Sequence, residues 1–143
     1  MTVTLLLLSG KRKSGKDYIA AKLNEHLPDS QIIRLSAPLK RAYADEHELD
    51  YEQLMSSSLY KEQYRLKMIK WGEEKRNEEP GYFCNLAWET VVQSTKVVIV
   101  ADCRRVTDFA FFINHAQDVT LLTIRIEARY ILTLWKLKIN LFF

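Results

Sequence analysis

Val3-Thr-Leu-Leu-Leu-Leu-Ser-Gly-Lys-Arg-Lys-Ser-Gly-Lys-Asp17 joins two signals whose order decides the fold. Val3 to Leu8 is a continuous uncharged run closed by Ser9-Gly10, the pattern of a strand buried on both faces of a parallel sheet. Lys16 to about Leu27 then takes a helical period, with Ile19, Leu23 and Leu27 four apart and Pro28-Asp29 closing it. Between them Gly10-Lys11-Arg12-Lys13-Ser14-Gly15-Lys16 is G-x-x-x-x-G-K. Glycines there let the backbone wrap an anion, so that successive N–H groups and the helix N-terminus point at phosphate. Lys16 then reaches the β and γ phosphates. The alternative is an ordinary strand-to-helix turn. Position 17 departs from the usual Ser or Thr. Asp17 either holds Mg²⁺, directly or through water, or is a first-turn acid favoured by the helix dipole.

The rest of the chain repeats the alternation. A strand is expected at Ile32 to Leu35, a helix opening near Pro38 through Leu39, Ala42 and Tyr43, and a long helix over about Leu59 to Lys75. Pro80-Gly81 breaks the chain before a helix over Tyr82 to Val92. Val97 to Ala101 reads as a central β-branched strand ending at Asp102. Thr107 or Asp108 caps a further helix, and Val119 to Ile126 forms another strand. Strand and helix in this order mean an α/β fold with a mainly parallel sheet.

The 143 residues are 48% hydrophobic and 27% charged with only four Gly and three Pro, a single compact domain rather than a disordered chain. Such a length buries roughly 70% of its unfolded surface, enough for a core without disulfides. Cys84 and Cys103 read as free thiols of a reducing compartment, with cytosol as the default; Asn140-Leu-Phe-Phe143 is no peroxisomal address. The net charge of +3 comes wholly from Arg129, Lys136 and Lys138, which argues against a nucleic-acid footprint. Val3–Leu8 is too short for a membrane span. A small phosphorylated molecule as partner, and a monomer, are expected instead.

Cations cluster locally. Lys11, Arg12 and Lys13 exceed what one nucleotide needs, which implies a second anion nearby. Arg104-Arg105 follows a strand whose carboxyl end faces the ligand crevice, and suits bidentate binding of phosphate or carboxylate; the alternative is a solvated surface. Asp102 is a metal or arginine partner, or a helix cap. Lys61 and Arg65, four apart on a helix, form a clamp for an acceptor anion or a solvated pair. His26, His47 and His115 receive no role, and Tyr60, Tyr64, Met68 and Trp71 read as core.

Ser9–Asp17, Arg34–Lys40 (Arg-Leu-Ser-Ala-Pro-Leu-Lys), Tyr60-Lys-Glu62 with Arg65, Trp71–Arg76, Pro80–Cys84 and Asp102–Val106 together resemble the animal-type phosphomevalonate kinase family. The resemblance covers about Val3 to Ala128, and Asp17 belongs to that family's loop. It implies a nucleoside-monophosphate-kinase-like fold and transfer of the ATP γ-phosphoryl group, with Mg²⁺, onto 5-phosphomevalonate in isoprenoid synthesis. By that resemblance Gly10, Lys11, Arg12, Lys13, Ser14, Gly15, Lys16 and Asp17 form the nucleotide site, with Lys13, Lys16 and Asp17 catalytic and Asp17 and Asp102 on the metal. Lys61, Arg65, Arg76, Arg104, Arg105 and Arg125 would line the acceptor side. Asn85 stands where relatives commonly carry arginine.

Residues 1–128 are thus expected as the kinase core and 129–143 as a divergent hydrophobic tail, lacking the family's arginine-bearing lid and C-terminal strand and helix. A phosphate-binding module without turnover is the competing expectation. Trp135 to Leu141 alternates apolar and polar residues, while Ala128 to Leu137 could equally continue as a helix. A strand there could pair only antiparallel with its neighbour.

Overall fold

The computed structural model describes residues 3–56, 58–115, 119–127 and 136–141. Strands β1 (Val3–Gly10), β2 (Ser30–Ile33), β3 (Val97–Val100) and β4 (Val119–Glu127) alternate with helices α1 (Lys16–His26), α2 (Ser36–Glu46), α3 (Tyr51–Ser56), α4 (Ser58–Glu78), α5 (Tyr82–Trp88) and α6 (Val106–His115), and β5 spans Lys136–Leu141. The sheet order is β2-β3-β1-β4-β5. Its first four strands are parallel, with Leu7 beside Val100 on one flank and Thr123 on the other.

β1 is central because its side chains are apolar on both faces. Leu5 and Leu7 join Val98, Val100, Cys84 and Phe112 on one side of the sheet. Leu6 and Leu8 join Ala20, Ile99, Ala101, Ile124 and Ile126 on the other. Each such leucine contributes roughly 1.5–3 kcal/mol on burial. A third cluster, Tyr43, Ala44, Leu54, Met68, Trp71 and Phe83, holds α2 to α5 together as a helical lobe, with Tyr60 and Tyr64 packed against it. The aromatic stripe of α4 is therefore core, as expected.

Several boundaries differ from the sequence reading. β2 ends at Ile33, because Leu35 already caps α2 and its amide is held by Asp102. α3 has six residues, too few for a period to be seen. α5 stops at Trp88 in a turn where the Thr90 hydroxyl donates to the Ala87 carbonyl. Asp108 lies inside the first turn of α6 rather than at its cap position. β5 pairs antiparallel with β4, Ile124 beside Ile139. Only residues 128–135 separate β4 from β5, too short a link for a parallel crossover. Most of the helical alternative for the tail, Ala128 to Trp135, lies outside the described residues.

From β1 the chain crosses to β2 on one side, whereas from β3 it crosses to β4 on the other. Crossovers diverging from adjacent strands open a crevice at their carboxyl ends. The loop after β3 is tied to β1 there, the Cys103 amide donating to the Leu8 carbonyl at 3.1 Å.

Candidate active site

Gly10 leaves β1 at φ +148°, and a Cβ there would collide with the Ile126 carbonyl of β4. Only glycine passes this point without strain. Lys13 (φ 61°) and Gly15 (φ 90°) complete the turn, and the Ser14 amide donates to the Lys11 carbonyl at 3.1 Å. Lys16 opens α1 and folds back across the loop. Its ammonium donates to the Gly10 carbonyl at 2.9 Å and the Lys11 carbonyl at 2.8 Å. Burial, with Arg104 as the next cause, lowers its pKa below the usual lysine value. The Ser14 hydroxyl is buried inside this loop, and its oxygen has no hydrogen-bond partner among the described residues. A buried polar atom left without a partner costs about 1–3 kcal/mol, which a polar ligand in the loop would relieve.

Asp17 sits in the first turn of α1 with its side chain 81% exposed, 3.5 Å from Arg34. Asp102, across the crevice, accepts the Leu35 amide at 2.7 Å on one carboxylate oxygen and the Ser36 amide at 3.1 Å on the other. It acts as the cap of α2, so a metal would have to use its remaining lone pairs. No group of three or more His, Cys, Asp or Glu suited to a metal occurs among the described residues. Mg²⁺ needs no such cage, because it keeps several waters and takes one or two carboxylates plus phosphates. The exposed Asp17 carboxylate fits as one such donor.

Asp108 is 5% exposed and anchors the arginine pair through its backbone. One carboxylate oxygen accepts the Arg104 amide at 3.1 Å and the Arg105 amide at 3.0 Å, a first-turn acid reaching back to the helix start. The Cys84 thiol lies 3.6 Å from its other oxygen. Burial and this carboxylate push Cys84 up to about 12, and burial raises Cys103 as well.

Two of the cavities formed by the described residues reach the loop, one through Gly10, Lys11 and Arg12 and the other through Arg12 alone, while Ser14, Gly15 and Lys16 line neither. One, about 470 Å³, is lined by Lys11, Arg12, Arg104, Arg125 and Phe109. The second, about 290 Å³, lies between the sheet and the helical lobe and presents Arg12, Lys40, Lys61, Arg65, Arg76, Arg104 and Arg105 against Glu62, Glu73, Asp102 and Asp108. Seven cations against four acids favour an anion. Arg12 and Arg104 line both cavities, so two anions bound there would share them.

Of the acceptor-side residues expected from sequence, Lys61, Arg65, Arg76, Arg104 and Arg105 meet in the second cavity, whereas Arg125 lines the first and pairs with Glu127 at 2.9 Å. Lys13 is exposed and, like Asp17, lines neither cavity. The Asn85 side-chain amide donates to the carboxylate of Glu89, the C-cap of its helix, at 3.0 Å.

Three cavity residues receive no site role in the sequence reading. Lys40 lines the second cavity, and burial followed by Lys61 lowers its pKa. Its signal was the position in Ser36-Ala-Pro-Leu-Lys40, at the end of the first helical turn. Glu73 and Asp108 also line this cavity, and each stands three residues from an arginine, Arg76 and Arg105 respectively.

The chain matches the profile of a family described as phosphomevalonate kinase over residues 8–118. It is 39% identical over 128 residues to a phosphomevalonate kinase of Drosophila melanogaster, covering 87% of this chain and 68% of that protein.

Proposed function

Because the chain belongs to the phosphomevalonate kinase family, we propose that it catalyses transfer of the γ-phosphoryl group of ATP to the phosphate of 5-phosphomevalonate, giving ADP and 5-diphosphomevalonate. One observation carries the reading: Arg12 and Arg104 border both the cavity at the phosphate loop and the cavity under the helical lobe. An acceptor phosphate is already anionic. Transfer to it calls for alignment and charge neutralisation rather than a strong base.

In this reading the loop amides from Gly10 to Lys16 and the Lys16 ammonium hold the triphosphate. Lys16 exchanges its bonds to the Gly10 and Lys11 carbonyls for phosphate oxygens, and Ser14 gains the partner it lacks. Lys11, Arg12 and Lys13 add positive charge at the loop mouth, and Arg125 approaches from β4. Lys40, Lys61, Arg65, Arg76, Arg104 and Arg105 receive the acceptor. Mg²⁺, with Asp17 as donor and Asp102 behind it, would supply neutralisation of the β and γ oxygens. A reducing compartment and a monomeric chain complete the proposal; no helix among the described residues is long and apolar enough to cross a membrane.

The test is ADP release with ATP, Mg²⁺ and 5-phosphomevalonate, run beside titration calorimetry with each ligand. Saturable turnover dependent on both substrates is expected. Binding without turnover, or turnover indifferent to 5-phosphomevalonate, would overturn the assignment.

A further inference from the structure

Arg105 and Arg76 come from opposite walls of the 290 Å³ cavity, one from the loop after β3 and the other from α4. Two guanidinium groups facing one space repel, and the Arg76 side chain is only 17% exposed, over the Phe83 ring at 4.8 Å. Burial, and Arg105 as the next cause, lower the Arg76 pKa. Glu73 stands between them. Arg105 donates through both terminal nitrogens to the two carboxylate oxygens of Glu73, one bond being 2.7 Å, and Arg76 lies 3.9 Å from the same carboxylate. A forked guanidinium–carboxylate pair fixes the plane as well as the position of the arginine. Glu62, the other α4 acid lining this cavity, differs in geometry rather than exposure: its contacts to Arg12 (3.9 Å) and Arg65 (3.2 Å) are single, whereas the Arg105–Glu73 pair, itself 39% and 40% exposed, is forked. Single surface contacts of the Glu62 kind are worth little, and it is the bidentate geometry that sets Glu73 apart.

The geometry points to Glu73 as a positioning residue that holds Arg105 and Arg76 side by side as one prearranged anion receptor for the acceptor, touching neither reacting phosphate. Neither arginine borders the phosphate-loop cavity. Both line the cavity under the helical lobe, which the proposed function gives to the acceptor, so their contribution falls on acceptor affinity. This rests on the proposed function for the identity of the acceptor, but the clamp itself does not.

Glu73→Gln removes the charge while keeping the shape, and Glu73→Asp keeps the charge. In Glu73→Gln the KM for 5-phosphomevalonate should rise about tenfold, kcat should change less than threefold and the KM for ATP should stay within twofold. Glu73→Asp should recover part of the loss. Removing an acid would by itself tighten anion binding, so a raised KM reports lost orientation. An unchanged or lowered acceptor KM, or an equal rise for ATP, overturns the proposal. The clamp is read without substrate by NMR of the Arg105 terminal N–H groups, resolved only when hydrogen bonds slow their rotation. They should be resolved in the wild-type chain and merge in Glu73→Gln, with the unfolding midpoint within 2 °C. Absence in the wild-type chain, or persistence in the variant, rejects the clamp even if no turnover is found. Resolved resonances in a chain without turnover reject only the proposed function.

Discussion

The Asp102 carboxylate accepts the Leu35 amide at 2.7 Å, tying the end of β3 to the start of α2 across 67 residues of sequence. The same carboxylate takes the Ser36 amide, so the helix that carries Lys40 and the loop that carries Arg104 have one common anchor.

Asp102→Ala should therefore lower stability by about 0.5–2 kcal/mol, the usual cost of a lost cap. Asp102→Asn, which keeps one acceptor oxygen, should cost less. Thermal unfolding without Mg²⁺ checks this. Equal midpoints for all three proteins would mean that the cap carries no stability.

Lys40 and Arg104 differ in which cavities they border. Lys40 borders only the cavity under the helical lobe, whereas Arg104 borders both. Losing a hydrogen bond to a charged group costs about 1.5–3 kcal/mol. Lys40→Met should then weaken 5-phosphomevalonate by about ten- to a hundredfold with ATP affinity kept, and Arg104→Met should weaken both ligands. Calorimetric titration of each variant with each ligand decides it.

Lys16 and Lys40 both have pKa values below that of a free lysine, burial being the first cause in each. A bound phosphate favours their charged forms and raises those pKa values again. Between the two values binding takes up protons, so anion affinity falls as pH rises. For stability, the unfolded chain holds these protons longer, so their contribution is unfavourable at low pH and relieved as pH rises toward the free-lysine range. Titrations in buffers of different ionisation heat at alkaline pH should register proton uptake, and less of it in Lys40→Met.

Cys84 and Cys103 are fully buried, and the Cys84 thiol is pushed up to about 12. The thiolate is the reactive form. A thiol-specific reagent at pH 8 should therefore label neither cysteine in the folded chain over minutes and both in denaturant. Rapid labelling of the native chain would contradict the packing around Asp108.

Gly10→Ala places a Cβ against the Ile126 carbonyl at φ +148°. Strain on the order of 1–3 kcal/mol is expected, together with loss of ATP binding as the loop moves off β4. Chemical unfolding and nucleotide titration measure the two effects.

Much of this protein could be read along the chain because its signals are local. A strand apolar on both faces, Gly10 and Gly15 at the turn, and the period of α1 fall within residues 3–27. The run Val97 to Ala101 likewise marks β3 without reference to anything distant. β5 was legible only conditionally. The short link from β4 dictated that a strand there would run antiparallel, but a period-two pattern in seven residues does not exclude a helix.

The site divides the same way. Residue type and spacing along the chain determined the Gly10–Lys16 loop and the cation clusters, since glycine freedom and helix periodicity act over a few residues. Only the tertiary structure decided which charges face each other. Asp102 reaches Leu35 over 67 positions, Glu73 meets Arg105 over 32, and Lys40 shares a cavity with Lys61 and Arg104. Electrostatic and hydrogen-bond energies depend on distance in space, which the crossings of the sheet set and which separation along the chain does not record.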